Sequence, residues 1–130
     1  MQTDASDLYR DIILELYHHP LNKKILNDFD IEHRELNASC GDDITVRIKF
    51  VDDKVVDVGY QGVGCAISQA AASLITDHIQ DKTRIEIENM SEKDINELLG
   101  FEVVYTRKKC AELGLTAIKK AMELNKIKQN

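Results

Sequence analysis

The sequence predicts an α+β fold: a small three-stranded antiparallel sheet packed with helices on one face. Two observations predict the sheet. Ile44, Val46, Ile48 and Phe50 alternate with Thr45, Arg47 and Lys49, the period of a half-buried strand. After the turn Val51-Asp52-Asp53-Lys54, Val56, Val58 and Tyr60 alternate again with Asp57 and Gly59, so the two runs form a hairpin. A third observation predicts the helices: beyond Ala66 the apolar residues recur every three or four positions rather than every two.

Taken in order, Asp4 to Tyr17 reads as a helix with Leu8, Ile12, Ile13, Leu16 and Tyr17 on one stripe, capped by Asp4 or Ser6. The run His18-His19-Pro20 ends it, because the residue before proline is pushed out of helical geometry. Leu21 to Asp30 is polar and irregular. Ile31 to Leu36 is a weak strand signal that completes the sheet, whose polar alternation predicts one solvated face.

The downstream helices follow. From Ala66 to Gln80, residues Ile67, Ala70, Ala71, Leu74, Ile75 and Ile79 share one helix face. The stretch Glu86 to Glu97 reads mainly as a solvated face. Within it, Ser91-Glu92-Lys93-Asp94 is a capping-box sequence leading into Ile95, Leu98 and Leu99, with Gly100 as the stop. Thr106 is the expected cap of a last helix bearing Cys110, Gly114, Ala117, Ile118, Ala121 and Leu124 on its apolar face. Lys126 to Asn130 reads as a frayed tail. The 130 residues carry no repeat or linker and suit one domain, 1–130.

Composition narrows the function. Asp and Glu outnumber Lys and Arg by 23 to 17, a net charge of −6. That balance speaks against a general nucleic-acid binder, which needs a basic surface. No apolar run approaches a membrane span and no signal peptide is visible at Met1 to Arg10, so a cytoplasmic protein is expected. The three cysteines are an odd number, which rules out a fully paired set of internal disulfides. In a reducing compartment such thiols serve as metal ligands, as reactive groups, or simply as small apolar core residues.

Their surroundings favour chemistry. Cys40 sits in Asn37-Ala38-Ser39-Cys40-Gly41-Asp42-Asp43, a turn-forming run in which Asp42 can swing a carboxylate toward the Cys40 sulfur. Cys65 ends Gly62-Val63-Gly64-Cys65 at the start of a helix, where free N–H groups and the helix dipole favour a thiolate. Cys110 follows Arg107-Lys108-Lys109, three cations that favour the same ionisation. All three lie where elements begin or end, so they can converge. Against this stand bland readings: Cys110 as a core residue and Asp42 as a turn or cap residue. The spacings of 25 and 45 residues are not those of a zinc knuckle. His18 and His19 read as helix-end residues, His33 as part of an edge strand and His78 as half exposed.

These motifs together resemble the IscU/SufU family of iron–sulfur cluster assembly proteins, related to the N-terminal domain of NifU. The matching pieces are the Cys40-Gly41-Asp42 loop, Gly62-Val63-Gly64-Cys65-Ala66-Ile67-Ser68 with its alanine-rich helix, and Arg107-Lys108-Lys109-Cys110-Ala111; His19 to Lys24 is similar to a further family region. The resemblance implies a metallocluster site of Cys40, Asp42, Cys65 and Cys110, with Cys40 or Cys110 as the sulfur-accepting, catalytic thiol. It implies a transient [2Fe–2S] cluster or Zn2+ as cofactor, a pyridoxal-phosphate-dependent cysteine desulfurase as sulfur donor and apo iron–sulfur proteins as acceptors. A homo-oligomer is left open. IscU-type members place a histidine before the third cysteine and a proline-containing chaperone motif upstream. Here the first position is Lys109 and Tyr105 to Lys109 lacks proline, which speaks against a dedicated Hsp70 partner. The ligand flanks are thus SufU-like, while the short spacing between Cys65 and Cys110 is IscU-like. The expected function is a cluster-assembly scaffold, with a zinc-dependent sulfurtransferase and a structural-zinc interaction module as the alternatives.

Overall fold

The computed structural model describes residues 5–129, with side chains from residue 10 to 124. The order is α1 (Ala5–His18), β1 (Ile31–Asn37), β2 (Asp42–Val51), β3 (Lys54–Val63), α2 (Ala66–His78), α3 (Arg84–Glu88), α4 (Glu92–Leu99) and α5 (Lys108–Gln129). The strands form one antiparallel sheet in the order β1-β2-β3. Ile44, Val46, Ile48, Val58 and Tyr60 are fully buried and pack with the buried faces of α2 and α5. Small residues let the two helices approach closely: a Cβ on Gly114 would stand 3.3 Å from the Cα of Ala72.

Two tight connections set the sheet. Asp52 and Asp53, both left-handed at φ 52 and 66, close a two-residue turn between β2 and β3. Ala38 to Gly41 join β1 to β2, with Asn37 directly opposite Asp42. Asp42 therefore begins a strand rather than sitting in the turn.

Several expectations need correction. Val56 does not share a face with Val58 and Tyr60. The register shifts between Lys49 and Phe50, so Phe50 faces Val55, which is buried, while Val56 is 46% exposed. The outer face of the sheet is not simply solvated. Residues 21–30 lie across it as a strap: Lys24 N–H donates to Tyr60 O, Asp30 N–H to Ile48 O, and Arg47 stacks 4.5 Å from the Phe29 ring centre. The α1 stripe is only partly covered, with Ile13 and Leu16 half-buried and Ile12 and Tyr17 exposed. Ser6 lies inside α1 and Asp4 outside the described residues. A short 3-10 turn, Tyr105–Arg107, leads into α5 in place of a Thr106 cap. The α5 backbone stays helical through Gln129 instead of fraying from Lys126, and Leu124 is exposed.

The α3 helix overlaps the start of the stretch expected to be a solvated face, at Glu86 to Glu88. Thr83 and Glu86 form a reciprocal capping box, so a helix of only five residues has its free N–H groups satisfied. Its buried residue is Ile87, whereas Ile85 is 67% exposed. Ile87→Ala should therefore destabilise the protein by about 2–5 kcal/mol. Ile85→Ala should stay within about 0.5 kcal/mol. Urea unfolding followed by circular dichroism separates the two; equal effects would mean that α3 does not anchor through Ile87.

Candidate functional site

The end of the β1–β2 hairpin meets the starts of α2 and α5, and the candidate residues collect there. Gly41 takes φ +69 in open space, and Cys40 N–H donates to Asn37 O at 3.2 Å. These hold the loop so that Cys40 is half-buried above the strand ends. Cys65 is the N-cap of α2 in extended geometry and is also half-buried. Cys110 stands in the first turn of α5 and is fully buried.

The ligand atoms of Cys40, Asp42 and Cys110 lie within 4.8 Å of one another, although the residues are up to 70 positions apart. The Cys40 and Cys110 sulfurs are 2.8 Å apart. Cys65 stands outside this tightest group but beside it, close enough to act on the Cys110 thiol. The donor set fits a thiophilic metal or cluster: thiolates are the usual ligands of iron–sulfur centres and zinc, and a carboxylate can complete the set.

Asp42 organises this corner. It is 2% exposed and has no cationic partner among its hydrogen bonds. Its Oδ1 accepts from the Cys65 N–H at 2.9 Å and from the Ser68 hydroxyl at 3.2 Å. Its Oδ2 accepts a long bond, 3.4 Å, from the Asn37 amide, and the carboxylate also meets the Cys110 thiol. The Cys65 N–H and the positive end of α2 are thus given to Asp42 rather than to the Cys65 sulfur.

The expectation for Cys110 changes. Burial, ahead of its hydrogen bonds with Cys40 and Asp42, pushes its thiol well above the usual range, so proximity to cations does not ionise it. Only Arg107 of the three cations faces the sulfurs. Its guanidinium is held more firmly charged, first by a hydrogen bond to Cys110 and then by electrostatic attraction to Cys65, Cys110 and Cys40. Lys108 instead reaches Glu92 at 3.8 Å. Lys109 lines a polar cavity of about 340 Å3 with Ser39, Asn37 and Glu112. The charge of a bound metal cation would outweigh this desolvation, since a coordinating thiol gives up its proton.

Three supporting residues were not singled out from sequence. Asn37 reaches both Asp42 and the Cys110 sulfur, the latter at 3.6 Å. Ser68 joins Asp42 to the Cys65 carbonyl. Gly64 leaves the space that the Asp42 carboxylate fills. The signal for Ser68 was its place three residues beyond the N-cap, where first-turn polar groups face the helix end. The histidines lie elsewhere: His33, on the edge strand β1, contacts Glu35 at 3.1 Å, and His78 is half-buried.

The fold and this corner define a class: a small α+β protein that gathers thiols and a carboxylate from sequence-distant loops into one pocket. The chain belongs to the NifU-like N terminal domain family, whose model matches residues 8–130. It is similar to the zinc-dependent sulfurtransferase SufU of Bacillus subtilis strain 168, at 34% identity over 132 residues, covering 88% of this chain and 89% of that protein. It is 33% identical over 104 residues to the iron–sulfur cluster assembly scaffold protein IscU of Streptococcus pyogenes serotype M1, covering 67% of this chain and 65% of that protein. Among solved structures, a candidate iron–sulfur cluster assembly scaffold for the SUF system from Fervidobacterium islandicum AW-1 superposes with a TM-score of 0.71 at 27% identity, covering 86% of this chain and 94% of that one. Among the described residues, no helix is long and apolar enough to cross a membrane.

Gly64 offers a direct test of the corner. A Cβ there would fall 2.5 Å from both Asp42 Oδ1 and Ser68 Oγ. These are side-chain atoms, so Gly64→Ala should displace the carboxylate while the helices and sheet persist. Zinc affinity, measured by competition with a chromogenic chelator, should fall about 10–100-fold, the usual cost of losing an orienting contact. Unchanged affinity would show that Asp42 is not held for a metal.

Proposed function

We propose that this protein is an iron–sulfur cluster assembly scaffold that accepts sulfur from a cysteine desulfurase and holds a transient [2Fe–2S] cluster as cargo at Cys40, Asp42, Cys65 and Cys110. The observation that carries this reading is the convergence of Cys40, Asp42 and Cys110 within 4.8 Å, with Cys65 at the adjoining helix start. Four donors give two per iron of such a cluster. Replacing a fourth thiolate with the oxygen of Asp42 makes the soft cluster easier to release.

Cys40 is the first sulfur acceptor in this reading. It is half-buried on a hairpin loop, whereas Cys110 is fully buried. The Cys40 thiolate attacks the outer sulfur of the donor's persulfide. A new S–S bond forms at Cys40, the donor S–S bond breaks, and the donor leaves as a thiolate. Asp42 and Asn37 hold the neighbouring sulfurs in place, and Arg107 supplies positive charge at the pocket.

A zinc-dependent sulfurtransferase is the second reading. It is favoured by the similarity to the Bacillus protein of that name and by Lys109 at the position before the third cysteine. Zinc would be held by the same four residues and would keep the thiols ionised. Iron, zinc and acid-labile sulfide analysis of protein purified without oxygen distinguishes the two: iron with sulfide is expected for the scaffold, zinc alone for the sulfurtransferase. After mixing with an active desulfurase and cysteine, Cys110→Ser should gain about 32 Da, one sulfur, while Cys40→Ser should gain none. No added sulfur in any variant would overturn acceptance and favour a structural-zinc interaction module.

A further inference from the structure

We propose that Cys110 is a resolving thiol: it displaces the sulfur delivered to Cys40 as sulfide and closes a Cys40–Cys110 disulfide, so that the two electrons for the first sulfide come from the protein's own thiols, and a dithiol reductant reopens the pair before it can hold a metal or cluster. This inference rests on the sulfur-acceptor reading above. Two geometric facts carry it. The Cys110 sulfur lies 2.8 Å from the Cys40 sulfur. Cys110 is fully buried, while Cys40 is reachable from solvent.

A donor can approach Cys40 only from its exposed side. The added outer sulfur therefore projects about 2 Å outward along its new bond, away from Cys110. An attacking thiol and its leaving group must lie on opposite sides of the sulfur under attack. Cys110 stands behind Cys40 Sγ, and the outer sulfur leaves in front. Passing the outer sulfur on to Cys110 would instead require it to sit between two sulfurs whose separation leaves no room for a third. The geometry thus selects displacement over relay.

The step balances. Cys110 sulfur forms a bond to Cys40 Sγ, and the persulfide S–S bond breaks with its electron pair going to the outer sulfur. The Asp42 carboxylate, a hydrogen-bond partner of the Cys110 thiol, takes its proton as the sulfur attacks, and the outer sulfur leaves as hydrosulfide. The two cysteine sulfurs are jointly oxidised by two electrons, and the outer sulfur is reduced by the same two. Hydrosulfide is a weaker base than an alkyl thiolate and so is the better leaving group. Asn37, whose amide reaches the Cys110 sulfur, holds that thiol aimed at its target.

The test loads the full-length chain anaerobically with desulfurase and one equivalent of cysteine, without added reductant, both as isolated and after treatment with EDTA. Intact-mass and peptide analysis then follow. The wild type should lose about 2 Da as a Cys40–Cys110 disulfide and release about one sulfide per chain. Cys110→Ser and Cys110→Ala should keep the sulfur on Cys40, about 32 Da heavier, with sulfide release falling at least about fivefold. Ile85→Ala, at an exposed position away from the corner, should form the disulfide like the wild type, and the wild-type disulfide and sulfide yields decide the proposal even if the Cys110 variants fail to fold. Persistent added sulfur on wild-type Cys40 in both preparations, with no disulfide and no more sulfide than Cys110→Ser, would overturn the proposal while leaving sulfur acceptance intact. No added sulfur and no disulfide in any protein would overturn both.

Discussion

The bond between the Asp42 carboxylate and the Cys65 N–H ties the two halves of this molecule together at the corner where Cys40, Asp42 and Cys110 converge. On one side is the end of a β-hairpin; on the other is the start of the helix that covers the sheet. Each group answers a need of the other. The helix start has N–H groups with no internal partner. The carboxylate, almost wholly buried, needs donors to offset its lost hydration. Because the bond spans 23 positions, closing it also fixes how Cys40 and Cys65 face each other.

The same arrangement has a cost that the remainder of the fold must offset. A buried carboxylate and a buried thiol stand close together with only partial hydrogen bonding, and neither adds much stability. The core compensates, with Ile44, Val46, Ile48, Tyr60, Ile75 and Ile118 fully excluded from water. A ligand that removed the thiol protons at this corner would lower that cost, which would link its binding to stability.

Much of this was legible in the sequence because its signals are local. The β2–β3 hairpin was carried by alternation and an Asp-Asp turn, α4 by its capping box, and the cysteine loops by glycine and their places at element ends. What was missed depends on tertiary context. The exchange of Val55 for Val56 arises from a register shift between two strands, which neither strand shows alone. The strap over the sheet has no period of its own and is held by scattered partners such as Phe29 with Arg47. The α3 helix has a capping signature in Thr83 and Glu86, but the charged residues around it mask that signal. Burial reversed the expected ionisation of Cys110, because sequence shows neighbouring cations but not the desolvation that outweighs them.

The strap has a consequence for how the molecule behaves among its own copies. A three-stranded sheet has two borders whose unpaired amides and carbonyls can recruit foreign strands. Along β3, Tyr60 exchanges both of its backbone hydrogen bonds with Asn22 and Lys24, and Val55 does the same with Lys82 and Asp81. The border beside the alanine-rich helix is thereby closed to strand addition at two points. The cysteine corner can in this way stay open while the β3 border is withheld as a template for clumping.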